Sequence, residues 1–117
     1  MRHSTIKRWE DLRGSGLAAL PDRSVAILPI GALEHHGPHL PFGTDAIILD
    51  GVLAAAEAQG MDGAPGTCAV VLPVQRIGWS VEHGDWPGTL SLDADRLAAG
   101  WVESWAVGWH VPGCAAC

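Results

Sequence analysis

Between Gly31 and Asp45 the sequence reads Gly-Ala-Leu-Glu-His-His-Gly-Pro-His-Leu-Pro-Phe-Gly-Thr-Asp. Glu34, His36, His39 and Asp45 are all side chains that bind metals. Two carboxylates and two imidazoles make a donor set suited to Zn²⁺ or Mn²⁺, and His35 adds a third ring. In extended backbone Glu34 and His36 project to the same face, two residues apart, while Pro38 and Pro41 exclude the segment beyond them from a regular ladder. The donors therefore belong to a loop. The plainer alternative is a turn in which Asp45 caps a following helix and the histidines face solvent.

A second chemically equipped stretch runs from Gln75 to Thr89 and carries Glu82 and His83 ahead of Gly84, Asp85, Trp86, Pro87 and Gly88. Read alone, it is also a surface loop with a Pro-Gly turn and a tryptophan over the core. A third feature is Trp101, Trp105 and Trp109, repeating every fourth residue along one helix face. Such a stripe packs against a sheet, or against a partner subunit.

The first stretch resembles the opening signature of the creatininase, or creatinine amidohydrolase, family: Gly-x-x-Glu-x-His-Gly-Pro-His-Leu-Pro-x-x-Thr-Asp. Gly78 to Leu92 is similar to its second signature, Gly-x-Ser-x-Glu-His-x-x-x-Pro-Gly-Thr-x-Ser-Leu. The two occur in the family's order, and the similarity covers about residues 24–95. It implies that Glu34, His36 and Asp45 are ligands of a two-metal centre with Asp45 bridging the ions, while His39 has a packing or outer role. It further implies that the second loop borders the substrate pocket. There His83 hydrogen-bonds substrate or transfers a proton, Glu82 orients it, and Trp86 walls the cavity. Family members hydrolyse C–N bonds of creatinine, other small amides and formamides, and some cut a short peptide, so the signatures leave the substrate open. Full-length relatives form closed homo-oligomers.

After the last helix the family continues into a Val-rich strand and an Asn-Gly-His segment that supplies another imidazole. Residues 100–117 match neither, and His110 lacks the matching flanks. The expectation is one incomplete creatininase-like domain over residues 1–117, truncated or frameshifted, with weakened metal binding and hydrolysis lost. The rival expectation is a non-catalytic metal-binding or assembly module that associates through the Trp-rich helix.

The elements that must position these loops are legible from hydrophobic patterning. Thr5 to Leu20, with Ile6, Trp9 and Leu12 at three-residue steps, predicts a short leading helix broken at Gly14 and Gly16. Ser24 to Ile30 is an apolar run of the kind found in strands buried on both faces. Ala46 to Ala58 predicts a helix opened by Thr44 or Asp45 and closed near Gly60. Cys68 to Pro73 predicts a second buried strand, Leu90 to Leu92 a short one, and Asp93 or Asp95 caps a last helix. Strand, helix, strand is a parallel βαβ unit. The fold class is therefore α/β, with the resemblance implying a three-layer α/β/α sandwich around a mostly parallel sheet. Ligands in such sheets bind beyond the carboxyl ends of the strands, which puts both loops on one rim.

The 117 residues suit one domain, and 48% hydrophobic against 17% charged composition argues against disorder. A net charge of −6, with 7 Lys and Arg residues, gives no electrostatic footprint for nucleic acid. No apolar run approaches the ~20 residues that span a bilayer, and Met1 to Leu20 is too polar for a signal peptide, so the expectation is a cytoplasmic protein. Cys68, Cys114 and Cys117 form no disulfide framework. The terminal Cys-x-x-Cys is the weakest of the readings, a zinc or redox pair.

Overall fold

The computed structural model describes residues 6–60 and 66–108. Three short strands, β1 (Ile6–Arg8), β2 (Val25–Ile27) and β3 (Ala69–Val71), form one parallel sheet in the order β1-β3-β2. Three helices accompany it: α1 (Gly14–Ala18), α2 (Thr44–Gln59) and α3 (Ala94–Gly108). The α/β class and the parallel βαβ unit, here β2-α2-β3, are as expected.

Central β3 shows why the sheet is layered. Successive strand residues point to opposite faces. Ala69 and Val71 pack with Ile6 of β1 and Leu53 of α2, backed by Leu49 and Val74. Cys68 and Val70 point the other way, into Leu20 with Trp9, Leu12 and Leu17 around them. One face is thus covered by α2 and the other by the segment between β1 and β2. Cys68 is a core residue whose thiol contacts its neighbour's carbonyl.

The leading segment departs from expectation. In place of a helix over Thr5 to Leu20, Ile6–Arg8 is a strand, Trp9–Asp11 a 3-10 turn, and Gly14–Ala18 a short helix. The three-residue steps of Ile6, Trp9 and Leu12 fit a helix face, yet Ile6 enters one core cluster while Trp9 and Leu12 line the other. Parallel pairing of Ile6, Lys7 and Arg8 with Ala69, Val70 and Val71 decides the outcome. A bidentate ion pair secures the end of β1, because Arg8 Nε and Nη2 donate to the Glu57 carboxylate of α2 at 2.6 and 3.1 Å. The Glu57 hydrogen bond, outweighing partial burial, holds the Arg8 guanidinium above its ordinary pKa.

The first predicted strand is also corrected. Only Val25–Ile27 is regular, and it is not buried on both faces: Val25 is 60% and Ile27 36% exposed. Among the described residues β2 pairs only with β3, and none of its residues joins either core cluster. The apolar run of β2 is an edge here. Leu90 and Ser91 make isolated bridges to Leu33 and Gly78, not a strand of their own.

Helix signals perform better. Gly60 ends α2 with φ of 69°, a conformation open to glycine, and its N–H reaches the Ala56 carbonyl. Asp93 caps α3, its Oδ1 accepting from the backbone N–H groups of Asp95 and Arg96. Of the tryptophan stripe, Trp101 turns inward and its indole donates to Gln75 Oε1 at 3.1 Å. Trp109, His110, Cys114 and Cys117 lie outside the described residues. No helix among the described residues is long and apolar enough to cross a membrane.

The unequal burial of β2 and β3 gives a direct test. Val70→Ala, at a position with no exposed surface, should cost about 2 kcal/mol in urea unfolding, whereas Val25→Ala should stay within about 0.5 kcal/mol.

Candidate metal centre

Beyond the sheet, the chain leaving β2 and the chain leaving β3 stay paired. Gln75 donates to the Pro29 carbonyl at 2.9 Å, and Gly31 donates back to the Gln75 carbonyl at 2.8 Å. Farther on, Gly78 lies so close to the first exit that a Cβ there would sit 2.9 Å from the Gly31 carbonyl oxygen. Only glycine permits that approach. The Leu90 N–H then bonds the Leu33 carbonyl, and the Leu92 N–H bonds the Gly78 carbonyl. Both function-bearing loops therefore share one rim.

On that rim the donors converge in two overlapping groups. Glu34, His36 and Asp45 offer ligand atoms all within 4.8 Å of one another, as do Glu34, Glu82 and His83. Glu34 belongs to both and is well shielded, with 13% of its side chain exposed. The Glu34 N–H is fixed by the Phe42 carbonyl, closing the first loop on itself. Asp45 sits in the first turn of α2 and reaches back over that loop.

The internal contacts suit a cation better than direct hydrogen bonding. His36 Nε2 is 3.7 Å from Asp45 Oδ2, and His83 Nε2 is 3.6 Å from Glu34 Oε2. Both distances are too long for hydrogen bonds. They are close to the separation of about 3.4 Å between two donors held near 2.1 Å on a tetrahedral ion. Asp45 Oδ2 is buried with no hydrogen-bond partner, a cost that a bound cation would remove. His36 Nδ1 lies 3.0 Å from the Glu34 carbonyl; donating there leaves Nε2 as a free lone pair aimed at Asp45. The rings of His36 and His83 are nearly parallel, 9° between planes and 6.2 Å between centroids. The residues present thus fit a divalent cation.

The other histidines separate clearly. His39 is exposed and outside both groups. His35, between two donors in sequence, turns away from them, accepting the Gly37 N–H on Nδ1 and stacking on Trp86. Trp86 therefore packs on the first loop. Thr89 and Ser80 escaped the sequence reading as structural parts, although both occupy fixed places in the second signature. Thr89 Oγ1 accepts from the His35 N–H at 3.0 Å. Ser80 is fully buried, its N–H bonded to Ser91 Oγ and its own hydroxyl unpartnered.

Comparison with known proteins identifies the family. The creatininase family profile, described as creatinine amidohydrolase, matches residues 8–108, and the chain belongs to that family. It is 40% identical over 80 residues to the mycofactocin precursor peptide peptidase of Mycolicibacterium smegmatis, an alignment covering 68% of this chain and 32% of that protein. The Mycobacterium ulcerans peptidase of the same name is 35% identical over 99 residues, covering 81% and 39%. The chain thus spans well under half the length of these relatives. A glutamate-to-glutamine mutant of creatininase complexed with creatine superposes with a TM-score of 0.63 at 28% identity, covering 88% of this chain and 38% of that one. A tryptophan-to-alanine mutant of creatininase gives the same TM-score at 25% identity.

The contact between the loops is tight at Gly88, which has φ of 98° and packs its Cα against the Phe42 ring, where any Cβ would collide. Gly88→Ala should lower stability by about 1–3 kcal/mol and make the Val81 to Thr89 loop more susceptible to limited proteolysis, with the β-sheet signal in circular dichroism retained.

Proposed function

We propose that the 117 residues form a single creatininase-like domain that contributes a divalent-metal site to amide C–N bond hydrolysis. The convergence of Glu34, His36 and Asp45 on the rim of a parallel sheet carries this reading. These three would hold Zn²⁺ or Mn²⁺. When bound, such ions lower the pKa of water and polarise a carbonyl oxygen, the two needs of amide hydrolysis. Glu34, common to both donor groups, ties the metal ligands to the second loop. His83, 3.6 Å from Glu34, would hydrogen-bond the amide or pass a proton to the leaving nitrogen. Glu82, with a carboxylate oxygen within 4.8 Å of the donors of both, would orient His83. The names of the mycofactocin peptidases favour a peptide amide over creatinine as substrate.

Three protein donors per ion leave coordination positions for water or further ligands, so affinity should be modest and turnover by this chain alone low. Equilibrium dialysis of the chain against Zn²⁺ or Mn²⁺ should give saturable uptake. Asp45→Ala should weaken it by more than the roughly 10-fold that loss of an outer-shell partner costs. Fusing the chain to the portion of a mycofactocin peptidase that it does not span should raise metal content to two ions per chain and give peptide hydrolysis abolished by chelator. Uptake unchanged in Asp45→Ala and Glu34→Gln would exclude the rim as the metal site.

A further inference from the structure

Glu34 and His36 flank His35 in sequence; their donor atoms converge with Asp45, whereas the His35 ring packs on Trp86 and Phe42. His35 makes contacts that reach the second loop. Its ring stacks on Trp86, 5.3 Å between centroids and 23° between planes, and leans on Phe42 at 6.2 Å and 42°. Its N–H donates to Thr89 Oγ1 at 3.0 Å. Its Nδ1 accepts the N–H of Gly37 at 3.2 Å, within the turn where Gly37 has φ of 75°. An accepting Nδ1 puts the ring proton on Nε2, and the whole imidazole is committed to packing.

These contacts bear on the donors that flank His35 in sequence. The Trp86 N–H bonds the His83 carbonyl at 3.1 Å, so the residue stacked on His35 is joined through one hydrogen bond to the turn bearing His83. Phe42, the second wall, accepts from the Glu34 N–H and receives Gly88 against its ring. His35 is thus a wedge between the two loops, joined to Glu34 on one route and to His83 on the other. We propose that His35 is a positioning residue whose ring, clasped between Phe42 and Trp86, sets the separation of His83 from the Glu34, His36 and Asp45 donors. An aromatic contact of this kind stabilises beyond its buried area, which biases the second loop towards its docked position.

This inference rests on the reading of those residues as one site, but its test reads geometry without metal. In the labelled, metal-free chain, a nuclear Overhauser contact between the imidazole protons of His36 and His83 reports their stacking. The contact should be present in the wild type and in His35→Phe, which keeps the ring. It should be lost in His35→Ala and in Trp86→Ala, whose exposed side chain makes that variant tolerant of folding. Amide shifts of Ala69, Val70 and Val71 report the sheet in every variant. Persistence of the contact in either alanine variant with the sheet intact overturns the proposal, as does its absence from the wild type or its loss in His35→Phe. Cobalt(II) added alone should bind His35→Ala roughly 10-fold more weakly than the wild type. A wild-type chain that keeps the ring contact yet takes up no cobalt overturns the metal reading while supporting the role of His35.

Discussion

Every donor on the rim depends on the pairing of two chain exits. Where β2 and β3 end, the backbones do not splay: Pro29, Gly31 and Gln75 continue the ladder, and Gly78 presses against Gly31. A side chain at Gly78 would push the exits apart, and Glu34 and His83 depart from these same two exits. The sheet below is small, three strands of three residues, but its centre is dry, with Val70 wholly buried. Rigidity at that centre is transmitted to the loops through backbone hydrogen bonds, which are short-range and directional, so the loops inherit the register of β2 on β3.

The rim that results is electrostatically costly without a cation. Glu34 is grouped with Asp45 on one side and with Glu82 on the other, each pair offering carboxylate oxygens within 4.8 Å of one another, and like charges so close repel. The neighbouring imidazoles stand beyond hydrogen-bond range of the carboxylates they face, and one Asp45 oxygen is left without a partner. Nothing in packing alone requires such an arrangement, because hydrophobic replacements would relieve both the repulsion and the unpaired oxygen. A divalent ion answers both costs. The aromatic clasp of His35 between Phe42 and Trp86 has the proposed task of anchoring the second loop, whose Glu82 is exposed and whose His83 is half-buried.

Much of this was legible in the sequence for identifiable reasons. The spacing of Glu34 and His36 put them on one face, the family signature singled them out with Asp45 as ligands, and alanine-rich α2 with Gly60 at its end reads as a helix from propensity alone. The two family signatures placed the second loop beside the first. The leading segment misled because Ile6, Trp9 and Leu12 keep helical spacing while being distributed between two faces of a sheet, an outcome fixed by pairing with residues more than sixty positions away. The β2 run looked buried because its residues are apolar, but burial depends on which neighbours cover the strand, and periodicity carries no information on that. Histidine type drew attention to His35 as a possible ligand, whereas only the structure shows its ring committed to Trp86 and Gly37.

The most direct test of the central claim is the zinc-edge X-ray absorption spectrum of the chain loaded with one equivalent of Zn²⁺. An ion on the rim gives a first shell of nitrogen and oxygen alone near 2.0–2.1 Å, with an imidazole scattering pattern that diminishes in His36→Ala. A sulfur shell near 2.3 Å would place the ion on cysteine instead and contradict the assignment of the rim as the metal site.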